Sequence, residues 1–221
     1  MESDTFLTIA SESQGLYKDK GSKFFAFAYP VHSEEEVKEK VDFLQKKYFD
    51  ARHHCYAYRL GVDGERYRAN DDGEPANSAG KPILGQLVAR GVTNVLVVVV
   101  RYFGGILLGT NGLVQAYKQA TADALANAQI VTDAVTETYR LTFDYQDMNR
   151  VLKVMKDMNL KCCRQNFDLN GEALEVICAM NVKLRKSQTC QMRRRLEPVD
   201  SLKISLCSDL PVSPDHPFVS S

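Results

Sequence analysis

The chain has 221 residues, 44% apolar and 25% charged, which excludes bulk disorder and leaves room for one large domain or two small ones. Lysine plus arginine numbers 28 and aspartate plus glutamate numbers 28, so no net field announces a polyanionic partner. The longest apolar run, residues 95–100, is too short to cross a bilayer, and Met1-Glu2-Ser3-Asp4 lacks the basic and apolar regions of an export signal.

The first segment, residues 6–31, reads as strands around the loop Lys18-Asp19-Lys20-Gly21-Ser22. Ser33 followed by Glu36 forms a capping box, and Val37, Val41, Leu44 and Tyr48 recur at helical spacing behind it. Residues 54–60 form a strand, and Gly61-Val62-Asp63-Gly64 turns into another. A polar loop over 70–80 leads to a helix entered through Pro82, whose missing N–H costs nothing in a first turn. Residues 93–102 read as a strand buried on both faces. A glycine-rich turn, residues 103–112, then precedes a helix with Leu113, Ala116, Tyr117, Ala120 and Ala124 on one face.

Near Ala134 the pattern changes. A strand over 138–145 precedes a helix capped by Asp147 with Met148, Val151, Leu152 and Met155 inward. Strands over 161–169 and 173–182 flank the turn Asn170-Gly171-Glu172, a helix spans about 184–196, and a strand covers 202–207. This β-α-β-β-α-β order is that of a ferredoxin-like half-open sandwich. The fold class is therefore α+β, with domains over 1–134 and 136–207 and an extended or disordered tail over 208–221.

The six cysteines (Cys55, Cys162, Cys163, Cys178, Cys190 and Cys207) contain no C-x-x-C pair, and five fall after residue 160. Reduced thiols in a cytoplasmic protein are expected, with no metal, cofactor or membrane association.

Unusual residue types concentrate between residues 51 and 117. In a strand His53 and Cys55 share one face while His54 and Tyr56 share the other. That pattern allows a Cys–His nucleophilic pair, a partial metal site or a buried core cysteine. Asp71, Asp72 and Glu74 supply three carboxylates for a Mg²⁺ site or acid–base pair, or simply build a turn. Arg101-Tyr102-Phe103-Gly104-Gly105 ends a buried strand just before a helix, which suits an anion cradle or a turn needing close backbone approach. Lys81, at another helix start, is the natural second cation. The expected ligand-binding set is thus His53, Asp71, Asp72, Glu74, Lys81, Arg101, Tyr102, Gly104 and Gly105. No catalytic residue is assigned. In the second domain Arg185, Lys186, Arg193, Arg194 and Arg195 are candidates for RNA contact, or a solvated helix face.

At these segments the chain resembles the bacterial YigZ-like branch of the IMPACT family. The resemblance rests on Gly21-Ser22-Lys23-Phe24, Ala51-Arg52-His53-His54-Cys55-Tyr56-Ala57-Tyr58, Asp71-Asp72-Gly73-Glu74-Pro75, Ala79-Gly80-Lys81-Pro82-Ile83-Leu84, Arg101-Tyr102-Phe103-Gly104-Gly105, and Leu108-Gly109 through Tyr117. The chain departs from that pattern at Asn77-Ser78, where Gly-Thr is usual, and at Leu107, Asn111 and Gln115 in place of lysine, glycine and arginine. Asn111 is expected to keep the turn, since asparagine tolerates positive φ.

The resemblance implies a first domain with the fold of ribosomal protein S five domain two and elongation factor G domain IV. It implies a second domain like domain V of that factor. A non-catalytic, translation-associated protein that binds RNA or a translation factor is the leading expectation. The alternative is an enzyme acting on a small phosphorylated or nucleotide-like substrate in the cleft of the first domain.

Overall fold

The computed structural model describes residues 4–169 and 176–207, without the side chains of 161, 163–169 and 176. The turn expected over 170–172 and the tail from Ser208 lie outside the described residues. The chain divides into two compact units, with the boundary between Ala134 and Val135.

In the first unit β1 (Thr5–Ile9), β2 (Ser13–Asp19) and β3 (Ser22–Pro30) precede helix α1 (Glu34–Lys47). Then come β4 (His53–Leu60), β5 (Arg66–Asn70), α2 (Gly80–Ala89), β6 (Val95–Tyr102), α3 (Gly109–Ala126) and β7 (Ile130–Ala134). Five strands form one antiparallel sheet in the order β2-β3-β6-β4-β5. The short β1 and β7 pair separately, Thr5 against Ala134 through Ile9 against Ile130. Strand β7 has no counterpart in the sequence reading. Its five residues are half-buried or exposed and carry no period-two alternation of apolar side chains, so only the partner strand defines it.

Burial on both faces explains the unbroken apolar run of β6. Val95, Val97 and Val99 pack with Ile83 and Leu87 of α2 and Leu113, Ala116 and Tyr117 of α3. Leu96, Val98 and Val100 pack with Val37, Val41 and Leu44 of α1 on the other face. Helix α1 starts as the capping box requires: Ser33 Oγ accepts the Glu36 N–H at 3.3 Å. Glu36 reaches back to the His32 N–H at 2.9 Å, one residue before the cap itself.

The second unit runs β8 (Thr136–Asp144), α4 (Met148–Asp157), β9 (Lys161–Leu169), β10 (Val176–Arg185), α5 (Thr189–Leu196) and β11 (Lys203–Leu206). Its sheet is antiparallel in the order β11-β8-β10-β9. Tyr139, Leu141 and Phe143 of β8 and Met180, Val182 and Leu184 of β10 face Val151 and Met155 of α4 and Met192 and Leu196 of α5.

Three local expectations change here. Residues 184 and 185 extend β10, paired to Glu137 and Thr136, so the last helix begins at Thr189 after a 3₁₀ turn over Lys186–Gln188. Asp147 does not cap α4 with its side chain; it accepts from Ser201 Oγ at 2.7 Å and pairs with Arg150 at 3.5 Å. Leu152, expected inward, is 39% exposed. Among the described residues no helix is long and apolar enough to cross a membrane.

Because each unit has its own apolar core, a fragment ending at Ala134 should fold alone. Circular dichroism with thermal melting is expected to show one cooperative transition for it, and a non-cooperative melt would show that the first core needs the second unit.

Candidate functional site

His53 and Arg101 are direct cross-strand partners on β4 and β6, and both point to the α2/α3 face of the sheet. Glu74 reaches them from the loop between β5 and α2. Its Oε1 accepts from Arg101 Nη1 at 2.5 Å and from the Tyr117 hydroxyl at 2.8 Å, and His53 Nε2 stands 4.0 Å away. Arg101 is 6% exposed and Glu74 9%, so the ion pair is buried. The guanidinium lies 5.5 Å from the Phe24 ring centroid and 5.7 Å from that of Phe103. Its Nε is buried with no hydrogen-bond partner among the described residues.

The other two carboxylates hold backbone in place. Asp71 Oδ1 accepts from Ala79 N at 3.0 Å and Gly80 N at 2.8 Å, and its Oδ2 from Asn77 N at 2.8 Å. This carboxylate therefore caps α2, whose own cap residue Ala79 has no side-chain acceptor. Asp72 Oδ2 accepts the His54 N–H at 2.6 Å and ties the loop to the start of β4. The His53 ring nitrogen Nδ1 is 2.7 Å from the Asp72 carbonyl oxygen. Positive φ at Asp72 and Gly73 lets the chain fold back so that all three acids point inward or onto N–H groups.

Cys55 does not pair with His53. Its sulfur is 3.0 Å from the Asp71 carbonyl oxygen and 3.3 Å from the Tyr117 hydroxyl oxygen, and its single proton can serve either. Burial pushes the Cys55 thiol and the Tyr117 phenol well above their ordinary pKa values, so both stay neutral near pH 7. That arrangement gives no thiolate nucleophile. Tyr117 was visible in the sequence as a core residue among alanines, but nothing there marked its hydroxyl as the second donor to Glu74.

The glycine turn is built for backbone contact. A Cβ on Gly104 would lie 1.9 Å from the Gly21 carbonyl carbon, and the Gly104 N–H donates to Ser22 Oγ at 3.1 Å. The N–H expected to face an anion is thus taken by the β2–β3 turn. Gly105 adopts φ +87° in the exposed loop beyond. Asn111 sits inside α3, and the left-handed residue at its start is Gly109, φ +70°. Lys81 is exposed on the first turn of α2, outside the Arg101 cluster. Tyr102 points to the opposite face, donating to Asp50 at 2.7 Å, a bond that pushes its phenol pKa up to about 12.

Residues 20–125 match the Impact N-terminal domain. The family member YigZ of Escherichia coli K12 is 39% identical over 150 residues, 67% of this chain and 74% of YigZ. This chain belongs to the IMPACT family. A crystal structure described only as that of a hypothetical protein aligns with 94% of this chain and 99% of its own, at 28% identity and TM-score 0.70. The structure of the two-domain translational regulator Yih1 aligns over 55% of this chain and 47% of its own, at 30% identity and TM-score 0.34.

The matched IMPACT segment holds every residue of the buried cluster, whereas Arg185, Lys186 and Arg193–Arg195 lie beyond it. Those cations do not form one group. Arg185 ends β10 on the face turned away from the helices, while Arg193 lies 5.5 Å from the Tyr139 ring on the helix side. Two cavities open on the α1 face of the IMPACT domain. One, of about 570 Å³, is lined by Glu34, Asp42, Tyr56, Tyr58 and Arg68 between α1 and β4–β5. The other, of about 440 Å³, is lined by Lys23, Phe25, Tyr48, Asp50, Tyr102 and Phe103. Of the expected ligand-binding residues, Asp72 borders the first and Tyr102 the second.

Two outcomes follow from this geometry. Arg101→Ala leaves Glu74 buried without its cation and should cost about 3–5 kcal/mol of unfolding free energy, measured by urea denaturation; a loss within 0.5 kcal/mol (about the scatter of neutral surface substitutions) would contradict a scaffold role. Iodoacetamide at mildly alkaline pH should alkylate exposed Cys190 in the native protein and leave Cys55 unmodified until denaturation, as read by peptide mass spectrometry.

Proposed function

We propose that this IMPACT-family chain is a non-catalytic, translation-associated regulatory protein that acts by binding RNA or a ribosomal factor. The observation that carries this reading is the internal pairing of the charged groups in the first unit. Arg101 is neutralised by Glu74, and the carboxylates of Asp71 and Asp72 hold backbone N–H groups. An enzyme gripping a small phosphorylated substrate there would need that arginine free, because a guanidinium already bonded to a buried carboxylate has little field left for a phosphate. Binding through exposed surfaces is what remains to the molecule.

Translation enters through the family, whose homologue Yih1 is described as a translational regulator. On this reading the first unit has the fold of ribosomal protein S five domain two, and the second is a ferredoxin-like domain akin to elongation factor G domain V. The β-α-β-β-α-β element order of the second unit supports the latter assignment. The place of action is then the cytoplasm. Of the original ligand-binding set, Lys81 is retained as an exposed contact, with Arg185 and Lys186 in the second unit.

Sedimentation of a cell lysate through sucrose tests the proposal. The full chain should co-migrate with ribosomal fractions at low salt and shift to the top of the gradient as salt rises. Migration as a free protein at every salt concentration, with no RNA retained on the purified chain, would remove the reading.

A further inference from the structure

Among the described residues of the second unit, helices cover one face of its sheet. On β8 the residues Thr138, Arg140 and Thr142 alternate with Tyr139, Leu141 and Phe143 of the core, so they point to the other side. On β10 the same alternation sends Asn181, Lys183 and Arg185 outward, and on β11 it sends Lys203 and Ser205 outward. Arg140, Lys183, Arg185 and Lys203 are all exposed, and none forms an ion pair among the described residues.

Register makes these cations a single field. Asn181 stands opposite Arg140 and Thr138 opposite Lys183, so Arg140 and Lys183 are diagonal neighbours across β8 and β10. Thr142 stands opposite Lys203 and Arg140 opposite Ser205, so Lys203 is diagonal to Arg140 from the other side. Among the described outward residues the acid falls at the far end, where Asp144 stands opposite Ile177. Like charges at diagonal positions repel, so the arrangement is unfavourable to the isolated sheet. Edge protection accounts for Lys203 on the edge strand β11 but not for Arg140, Lys183 and Arg185 on the central strands β8 and β10. Arg193, Arg194 and Arg195 have a local explanation, since they occupy the last turn of α5 where cations complement the helix dipole.

We propose that this open face binds the phosphate backbone of single-stranded RNA through Arg140, Lys183, Arg185 and Lys203. The inference rests on the RNA arm of the function proposed above and names its surface. A row of exposed cations on three adjacent strands suits a chain of singly charged phosphates better than one compact anion. Thr138, Thr142, Asn181 and Ser205 between them offer hydrogen bonds to sugars and base edges. No aromatic ring stands among the described outward residues of β8, β10 and β11, so base stacking contributes little and electrostatics dominates. Binding is then indifferent to sequence and steeply salt-dependent.

Fluorescence anisotropy of a labelled oligouridylate with the full chain tests this. The combined Arg140→Ala, Lys183→Ala, Arg185→Ala and Lys203→Ala variant should bind at least about tenfold more weakly at low salt. Its slope of log affinity against log salt should fall by about 3, or about 0.7 per lost contact. All four side chains are exposed, so an unchanged circular dichroism spectrum is expected. The control variant Arg193→Ala, Arg194→Ala and Arg195→Ala should bind within about twofold of wild type. Bound oligouridylate should also protect Lys183 and Lys203 of the wild type from acetylation. If the wild type binds RNA but the sheet variant binds equally well, or only the α5 variant loses affinity, the face is wrong while the RNA reading survives. If the wild type binds polyglutamate and no oligouridylate, the surface serves an acidic protein and both readings of RNA fall.

Discussion

A carboxylate and a guanidinium buried against each other set the terms for the rest of the first unit. Glu74 comes from a loop, Arg101 from the centre of the sheet and Tyr117 from the packed helix, and they meet at one oxygen. Burying either charge alone would cost several kcal/mol, so the loop, the strand end and the helix must all be in place together. The surrounding turns follow from that demand. Asp72 and Gly73 take left-handed backbone so that Glu74 can point inward, and Asp71, left beside them, closes the exposed start of α2.

The consequence for function is a division of labour. The residues that look most chemical in the IMPACT domain are partnered with one another, with a neutral thiol and a neutral phenol completing the group. The surfaces left free are of other kinds: two cavities on the α1 side, an exposed loop with Ile106 and Leu107 at its tip, and the cation-bearing face of the second sheet. The buried cluster borders neither cavity, but other residues of the same motifs do, with Tyr56 and Tyr58 at the first and Lys23, Tyr102 and Phe103 at the second. Motif density in this family therefore follows the difficulty of building the fold as well as any site of binding.

Much of the architecture was legible because it depends on near neighbours in sequence. The Ser33–Glu36 pair predicts the start of α1, the alternation of His53, His54, Cys55 and Tyr56 predicts their sorting to two faces, and the apolar run of β6 predicts its double burial. What escaped depends on distant partners. Strand β7 exists only because β1 lies beside it, and β10 continues through Arg185 only because β8 offers backbone groups as far as Thr136. The cluster itself links residues 27 and 43 positions apart. The sequence displays Arg101 and three acids, and a free anion site or an internal pair were both consistent with it. Only the fold selects which carboxylate turns inward.

The position of Arg101 opposite His53 also acts as a proofreader of strand alignment. A slip of β6 by one residue would carry the guanidinium to the α1 face, beside Val98, Val100 and the apolar residues of α1 and away from Glu74. Glu74 would be stranded on the original side at the same moment. Valine-rich strands are otherwise tolerant of such slips, because every residue of 97–100 is the same and each fits its neighbour's place. A single charged pair at the end of a monotonous strand thus gives an ambiguous stretch of sequence one energetically acceptable alignment.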